Sequence, residues 1–288
     1  MQIDVFINQI ESALQEGYGE YIDVNGISVR YRVSGSGPPV VLMHGLGGFL
    51  ELWSLNVASL SEDYQVFAID LPGHGLSDMA ENCYEPEYAT GYAFEIMKAL
   101  GLEAFYLIGH SMGGLISINL SARFPEKVRK LVLVDSAGLS NYVPLSFRFL
   151  SLPFWGRLLI ERTEDRFIKT GIRQMFYNKR LSDEFTAWFI KYSNRIRPDQ
   201  EILYLSSRHL GLKGMRTESL VVNKLPRIIC PTLFIHGDQD KIFPLAYVKD
   251  SFRLIPGAKA EIIRQAGHVP QIEQSEAFNK LIRGFLEA

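Results

Sequence analysis

Five short, β-rich runs recur along the chain, and a glycine or a polar loop follows each. They read PPVVLMHG, YQVFAIDLPGHG, FYLIGHS, KLVLVDSAG and PTLFIHGD. None alternates cleanly between apolar and polar residues, which is typical of strands buried on both faces of a parallel sheet. Helical stretches separate them, for example over 85–100 and 112–124. This order predicts a doubly wound, mostly parallel α/β sheet with right-handed crossovers.

The two ends of the chain extend this pattern. The runs YIDV and ISVRYRV flank Asn25 and Gly26, a strong signal for a β-hairpin. AEIIRQAGH is expected to form a last strand, and EQSEAFNKLIRGFL a closing helix. The first 17 residues carry neither a basic nor an apolar signal-peptide region, and an amphipathic helix that docks on the core is predicted there. Its apolar positions recur at helical spacing: Ile3, Phe6, Ile7, Ile10 and Leu14.

Composition narrows the class of protein. The chain has 288 residues, of which 47% are hydrophobic, enough for a sizeable core in one domain. A net charge of −2 gives no sign of a nucleic-acid or membrane partner. Cys83 and Cys230 make neither a disulfide framework nor a zinc site, and they suit a reducing compartment. No apolar run approaches about 18 residues, so no membrane span is expected and the cytoplasm is the predicted location.

The segment over 141–217 differs from the rest of the chain. It holds 14 Lys and Arg residues against 7 Asp and Glu residues, and it is rich in aromatic side chains. Because it is also poor in Gly and Pro, it indicates an inserted helical unit rather than a linker.

A single serine lies between two glycines in the stretch YLIGHSMGGLIS. Gly109, Ser111 and Gly113 follow a predicted strand and open a predicted helix. A tight strand-to-helix turn would explain the glycines, and serine is a common turn residue. The same context also fits a nucleophile elbow, in which a strained serine is presented at the end of a strand. The helix N-terminus would then stabilise a developing anion.

A serine nucleophile needs a base and an orienting acid, and both occur later in the chain. His268 lies in a loop after the last predicted strand, and Asp238 and Asp240 follow the strand before it. The order serine, aspartate, histidine matches one known arrangement of this triad. His268 is one of five histidines beside a glycine at a strand end; the others are His44, His74, His110 and His236.

These motifs resemble those of the α/β-hydrolase superfamily, in its branch of serine hydrolases with a cap domain. HGLGG, DLPGHGLSD, GHSMGG, GDQDKIFP and AGHVPQIE occur in the family's order along nearly the whole chain. The family places its acid in G-x-x-D-x-x-x-P, which Gly237, Asp240 and Pro244 match. The resemblance therefore implies a triad of Ser111, Asp240 and His268. Asp135 is the alternative acid, because some relatives place theirs after the preceding strand.

The resemblance also implies an oxyanion hole and a cap. The backbone N–H groups of Leu46 and Met112 would hold the oxyanion, whereas His44 and His74 would connect loops around the site. The core would comprise residues 1–139 and 219–288, with a helical cap over 140–218. The acyl pocket is expected to be apolar, lined by the cap and by Leu46, Phe49, Leu50 and Met112. Neither a cofactor nor a metal is expected.

The sequence favours a carboxylic-ester hydrolase that acts through an acyl-enzyme on a small-molecule ester. Serine at the elbow argues against dehalogenases and epoxide hydrolases of this fold, which carry Asp there. A C–C bond hydrolase of ring-cleavage dienone acids is the main alternative, although HGLGGF lacks the proline of that subgroup's H-G-x-G-P-G loop. A binding protein with little turnover and a hydroxynitrile lyase are further alternatives, since fold does not fix function.

Overall fold

Eight strands form one sheet in the computed structural model, which describes residues 6–8, 11, 19–152, 156, 158, 164–196 and 200–288. The strand order is β1-β2-β4-β3-β5-β6-β9-β10, and β7 and β8 form a separate small hairpin. In the eight-stranded sheet, β1 pairs antiparallel with β2, β2 pairs antiparallel with β4, and all other neighbours are parallel. The strand bounds are β1 Glu20–Val24, β2 Ile27–Ser34, β3 Pro39–Met43, β4 Gln65–Ile69, β5 Phe105–His110, β6 Val128–Val134, β7 Leu210–Gly211, β8 Gly214–Met215, β9 Thr232–Gly237 and β10 Lys259–Ile263.

Helices cover both faces of the sheet, which explains the continuous apolar runs. On β3, Val41 and Met43 pack into one hydrophobic cluster with the helices over 86–99 and 112–123. Val40 and Leu42 pack into another cluster with the helices over 54–60 and 275–287. The predicted mostly parallel α/β sheet is therefore confirmed. The helix bounds are α1 Ser54–Leu60, α2 Pro86–Ala99, α3 Met112–Arg123, α4 Leu145–Arg148, α5 Glu164–Met175, α6 Lys179–Ile196, α7 Gln200–Ser207, α8 Leu245–Val248, α9 Pro270–Glu273 and α10 Ser275–Glu287.

The predicted hairpin at Asn25 and Gly26 joins β1 to β2, and both residues have positive φ, 56° and 82°. The predicted N-terminal helix is described only in part. Phe6 is fully buried and Ile7 packs beside it, while Ile3, Ile10 and Leu14 lie outside the described residues. Within the described part of the chain, no helix has both the length and the hydropathy that crossing a bilayer requires.

The segment over 140–218 contains α4 to α7 in its described part, together with the β7–β8 hairpin. Three of its buried aromatic side chains, those of Phe176, Phe185 and Trp188, do not form a separate core. They share one cluster with residues of the N-terminus, of the loop after β3 and of the loop before α10. That cluster contains Phe6, Phe49, Leu52, Ile172, Phe176, Phe185, Trp188, Val269 and Ile272. The stretch LPFWGRLL at 152–159, in the first part of this segment, lies mostly outside the described residues, and the division into core and cap stays a prediction.

A buried ion cluster fixes the loop that follows β3. Arg30 on β2 is fully buried and pairs with the carboxylates of Glu51 and Asp70. Asp70 in turn accepts hydrogen bonds from the backbone N–H groups of Leu50, at 2.6 Å, and Leu76, at 2.9 Å. Buried charges are tolerated only when paired and hydrogen-bonded, so this cluster ties β2 to the loops that follow β3 and β4.

Candidate active site

Ser111 occupies a strained turn between β5 and α3. Its φ is 53° and its ψ is −115°, a backbone conformation that residues other than glycine rarely adopt. Its N–H donates to the carbonyl of Val134 at 2.9 Å, and its own carbonyl accepts from Ala137 at 3.0 Å. A Cβ at Gly113 would overlap the carbonyl oxygens of Met43 and His44, so the turn requires glycine there. This is the geometry of a nucleophile elbow.

His268 lies within hydrogen-bonding reach of the serine. Its Nε2 atom is 3.0 Å from Oγ of Ser111, and its Nδ1 atom is 2.9 Å from Oδ2 of Asp240. A carboxylate can only accept, so we assign the imidazole proton to Nδ1, which leaves the Nε2 lone pair facing the hydroxyl. The three side chains thus form a chain in which the imidazole is placed to take a proton from Oγ.

Asp240 is a well-satisfied buried carboxylate. Its Oδ1 accepts from the N–H groups of Ile242, at 2.7 Å, and Phe243, at 3.1 Å. Burial alone would raise the pKa of Asp240, but the neighbouring imidazole and its hydrogen bond lower that pKa well below the ordinary range. Asp238, the other candidate from this loop, accepts only a long 3.4 Å bond from Ala266 and does not contact the imidazole.

The predicted oxyanion donors, Leu46 and Met112, both lie near Ser111. Met112 follows it directly as the first residue of α3, and a Cβ at Gly45 would lie 2.9 Å from the Cβ of Ser111, which places Leu46 beside the serine. In the described part of the chain, no acceptor pairs with the backbone N–H of Leu46 or Met112. Both side chains line the cavity at the serine. Two unoccupied amides there can stabilise a negatively charged oxygen.

Three further histidines surround the site as neutral groups. Burial lowers the pKa of His44 to about 4, and the pKa values of His74 and His110 to about 3. Nε2 of His44 accepts from the N–H of Leu71 at 3.0 Å, and Nε2 of His110 donates to the carbonyl of His268 at 2.7 Å. The rings of His44 and His74 lie 5.2 Å apart. These side chains connect loops around the triad.

A carboxylate that the sequence analysis did not single out clamps the loop of His268. Glu273 accepts from the N–H of Gly267 at 2.6 Å, and from the N–H groups of Tyr177 and Asn178 at 2.9 and 2.8 Å. The N–H of His268 donates to the carbonyl of Met175 at 2.6 Å. The loop that carries the base is therefore tied directly to the segment over 140–218. Glu273 lies in the motif AGHVPQIE, and its place in that motif was the only sign of this role in the sequence.

A cavity of about 230 Å³ opens at the serine and has a mainly apolar lining. Leu46 and Met112 line it as predicted, but Phe49 and Leu50 do not, so that part of the prediction was wrong. Phe49 packs instead against Trp188, at 5.9 Å between ring centroids, and Leu50 is buried against the sheet. Further apolar contacts come from Ala89, Leu115, Ile116, Val143, Phe147, Leu150, Met175, Leu203, Met215, Ile242 and Phe243.

Charged and polar groups are distributed unevenly around this cavity. No Lys or Arg is among the described residues that line it. Cations of the 140–218 segment pair elsewhere, as Arg173 does with Asp183 and Arg180 with Glu184. A set of polar residues that was not predicted from the sequence also lines the cavity. That set is Tyr84, Ser206, Ser207, His209 and Ser219.

One group of side chains in the described residues is compact enough to ligate a metal. It consists of Asp135, Asp240 and His268, whose ligand atoms lie within 4.8 Å of one another. Two of these three are already joined by the hydrogen bond between Nδ1 of His268 and Oδ2 of Asp240. The grouping thus has the hydrogen-bonding pattern of an acid–base relay.

Comparisons with known proteins agree with this fold. A family model described as the alpha/beta hydrolase fold matches residues 38–275. A 2-hydroxymuconate semialdehyde hydrolase from Pseudomonas sp. (strain CF600) is 30% identical over 280 residues, which cover 93% of this chain and 93% of that protein. The dihydrolipoyllysine-residue acetyltransferase component of the acetoin cleaving system from Cupriavidus necator is 28% identical over 294 residues, covering 99% of this chain and 75% of that protein. The crystal structure of the enol-lactonase from Burkholderia xenovorans LB400 matches with a TM-score of 0.78 and 25% sequence identity. The match covers 93% of this chain and 100% of that chain.

Proposed function

This chain belongs to the α/β-hydrolase family, and we propose that it is a serine hydrolase that cleaves carboxylic esters through an acyl-enzyme on Ser111. The observation that carries the proposal is the continuous hydrogen-bonded chain from Oγ of Ser111 through His268 to Asp240. A strained serine, a neutral imidazole acceptor and a buried carboxylate are the parts that acyl transfer needs.

In the proposed reaction, Oγ of Ser111 attacks the carbonyl carbon of the ester while its proton passes to Nε2 of His268. The oxyanion of the tetrahedral intermediate accepts hydrogen bonds from the N–H groups of Leu46 and Met112. His268 then gives its proton to the departing alkoxide, which leaves the acyl group on the serine. A water molecule, deprotonated by the same imidazole, then attacks the acyl carbon. His268 returns the proton to Oγ of Ser111 as the bond between serine and acyl group breaks, and the acid is released.

The cavity supports a neutral, apolar acyl group as the substrate. Its lining is mainly aliphatic and aromatic, and the described part of that lining offers no cation to pair with a carboxylate. Burying apolar surface contributes about 0.8 kcal/mol per methylene, about a fourfold gain in catalytic efficiency for each one that fits. Short-to-medium acyl chains, around butyryl to hexanoyl, should therefore be preferred over acetyl. The similarity to an enol-lactonase also favours an ester-type carbonyl, since a lactone is a cyclic ester.

A C–C bond hydrolase is the second candidate, and similarity to a 2-hydroxymuconate semialdehyde hydrolase favours it. Two features count against it. The loop HGLGGF lacks the proline expected of that subgroup, and a dienone acid would bring its carboxylate into a cavity whose described lining carries no Lys or Arg.

A substrate panel separates the two candidates. p-Nitrophenyl esters from acetyl to decanoyl would be assayed beside a ring-cleavage dienone acid, with the Ser111→Ala variant as the control for background hydrolysis. Under the ester proposal, kcat/KM rises to butyryl or hexanoyl and then falls for chains that exceed the cavity. Fast turnover of the dienone acid with negligible activity on every ester would replace the proposal by C–C hydrolysis.

A further inference from the structure

A second carboxyl group lies against the acid of the triad. Asp135 follows β6 directly, is fully buried and has a φ of 42°. Its Oδ1 atom accepts from the N–H of Gly237 at 3.1 Å and lies 3.2 Å from Nδ1 of His236. Its Oδ2 atom is buried with no hydrogen-bond donor in the described residues. Oxygen atoms of Asp135 and Asp240 lie within 4.8 Å of each other.

Two carboxyl groups this close in a dry interior cannot both be ionised at low cost, so one of them holds a proton. Asp240 accepts three N–H donors, from Ile242, Phe243 and His268, which stabilises its charged form. Asp135 accepts one N–H from Gly237, and an ionised Asp135 would leave Oδ2 unpaired beside a like charge. The proton therefore belongs on Asp135.

The position of that proton follows from the neighbouring groups. Nε2 of His236 lies 2.8 Å from the carbonyl of Phe243, which can only accept, so that nitrogen carries the hydrogen. Oδ1 of Asp135 already accepts from Gly237, whereas Oδ2 is without a donor. A hydrogen bond from Oδ2 to the Asp240 carboxylate is charge-assisted and hence stronger than one to a neutral imidazole.

We propose that Asp135 is a neutral carboxylic acid whose Oδ2–H donates to the Asp240 carboxylate and holds it in line with His268. Asp135 is then a positioning residue that acts through Asp240, and not the alternative triad acid that the sequence left open. The effect of Asp135 on catalysis rests on the proposed hydrolase function, whereas the assignment of a proton to Asp135 does not.

The surrounding charges agree with this assignment. Burial raises the pKa of Asp135 well above its usual range, and the carboxylates of Asp240 and, more weakly, Glu273 raise it further, whereas the N–H of Gly237 lowers it. The other titratable groups at this point are the imidazoles of His236 and His268, and burial lowers the pKa of His236.

Infrared spectroscopy tests the proton without any substrate. The wild-type protein at pH 7 should show the carbonyl stretching band of a protonated carboxylic acid that is missing from Asp135→Asn. The Asp240→Asn variant should keep the band but shift it, because the acceptor changes from carboxylate to amide. Asp238→Asn should leave the band unchanged. No difference between the wild-type and Asp135→Asn spectra in this region would overturn the proposal.

Thermal unfolding gives a second test, with a sign that follows from linkage. A folded-state pKa of Asp135 above the unfolded value, about 3.9, means that the folded protein binds this proton more tightly, so the contribution of Asp135 to stability falls as pH rises above about 4. Asp135→Asn cannot ionise and escapes this loss, so its Tm advantage over wild type should grow from pH 4 to pH 8. A Tm advantage that shrinks or reverses over this range would mean that Asp135 is ionised in the fold.

Kinetics then test the positioning role with two substitutions at position 135. Both new residues, Asn and Gly, tolerate the positive φ of this position. Asp135→Asn keeps a donor facing Asp240, whereas Asp135→Gly removes it. The glycine variant should lose about 10- to 100-fold in kcat with little change in KM, the scale of one hydrogen bond to a charged group. The asparagine variant should recover most of that loss. An equal loss in both, or a loss in Asp135→Asn as large as in Asp240→Asn, would overturn the role. If the infrared band is present but no ester is turned over, the proposed function fails and the proton assignment stands.

Discussion

Nε2 of His268 lies 3.0 Å from Oγ of Ser111, although 157 residues separate them in the chain. The parallel sheet accounts for this contact. Ser111 follows β5 and Asp240 follows β9, while His268 follows the neighbouring β10, and carboxyl ends of parallel strands share one edge. The catalytic proposal therefore depends on loops that follow parallel strands of the same sheet.

Asparagine at position 240 should abolish most of the activity. The amide of Asp240→Asn cannot both accept from Nδ1 of His268 and keep the two backbone N–H bonds in the same arrangement, so the imidazole loses its tautomer and position. A loss of about 10⁴ in kcat is expected, measured on the best ester of the panel. Asp238→Asn is the matched control and should stay near wild type, because Asp238 does not touch the imidazole. A larger loss at 238 would move the acid by two residues.

Proline at position 46 removes the backbone N–H that we assign to the oxyanion. Leu46→Pro should lower kcat by about 10²- to 10³-fold, the usual effect of one missing oxyanion donor. Leu46→Ala keeps the N–H and should lose far less. The two kcat values can be compared only if both variants have a Tm close to that of the wild type. Similar kcat values for the two would show that the amide of Leu46 does not contribute.

Acid should destabilise the protein through its buried neutral histidines. The pKa of His74 is lowered by burial to about 3, below its unfolded value of about 6.5. The unfolded chain therefore binds the proton first, and stability is lost as pH falls from about 6.5 towards 3. Relative to His74→Gln, wild type should lose about 1.4 kcal/mol of unfolding free energy per pH unit in this window. Denaturant unfolding at pH 7, 6 and 5 measures this difference, and parallel pH curves for the two proteins would contradict it.

Much of the fold could be predicted because it depends on local pattern. The buried runs specified the strands, and the Asn25-Gly26 turn and the Gly113 contact are requirements of single positions. The triad residues lie in motifs of fixed spacing, and the structure brings all three into contact.

Contacts between distant segments could not be predicted in the same way. Phe49 has the same apolar character whether it faces a cavity or packs on Trp188, so the pattern could not decide between the two. The clamp at Glu273 and the buried pair of Arg30 and Asp70 depend on which loops meet in space. The polar cavity residues near His209 come from separate segments for the same reason.

Trapping the acyl-enzyme tests the central claim most directly. Wild-type protein would be mixed with p-nitrophenyl butyrate, quenched with acid within one turnover, digested and analysed by mass spectrometry, with Ser111→Ala treated in parallel. The account predicts a butyryl adduct on Ser111 in the wild type, no adduct in the variant, and a loss of turnover on the order of 10⁵ in the variant. Steady ester turnover with no adduct on Ser111, or a variant that keeps a tenth of the activity, would contradict it.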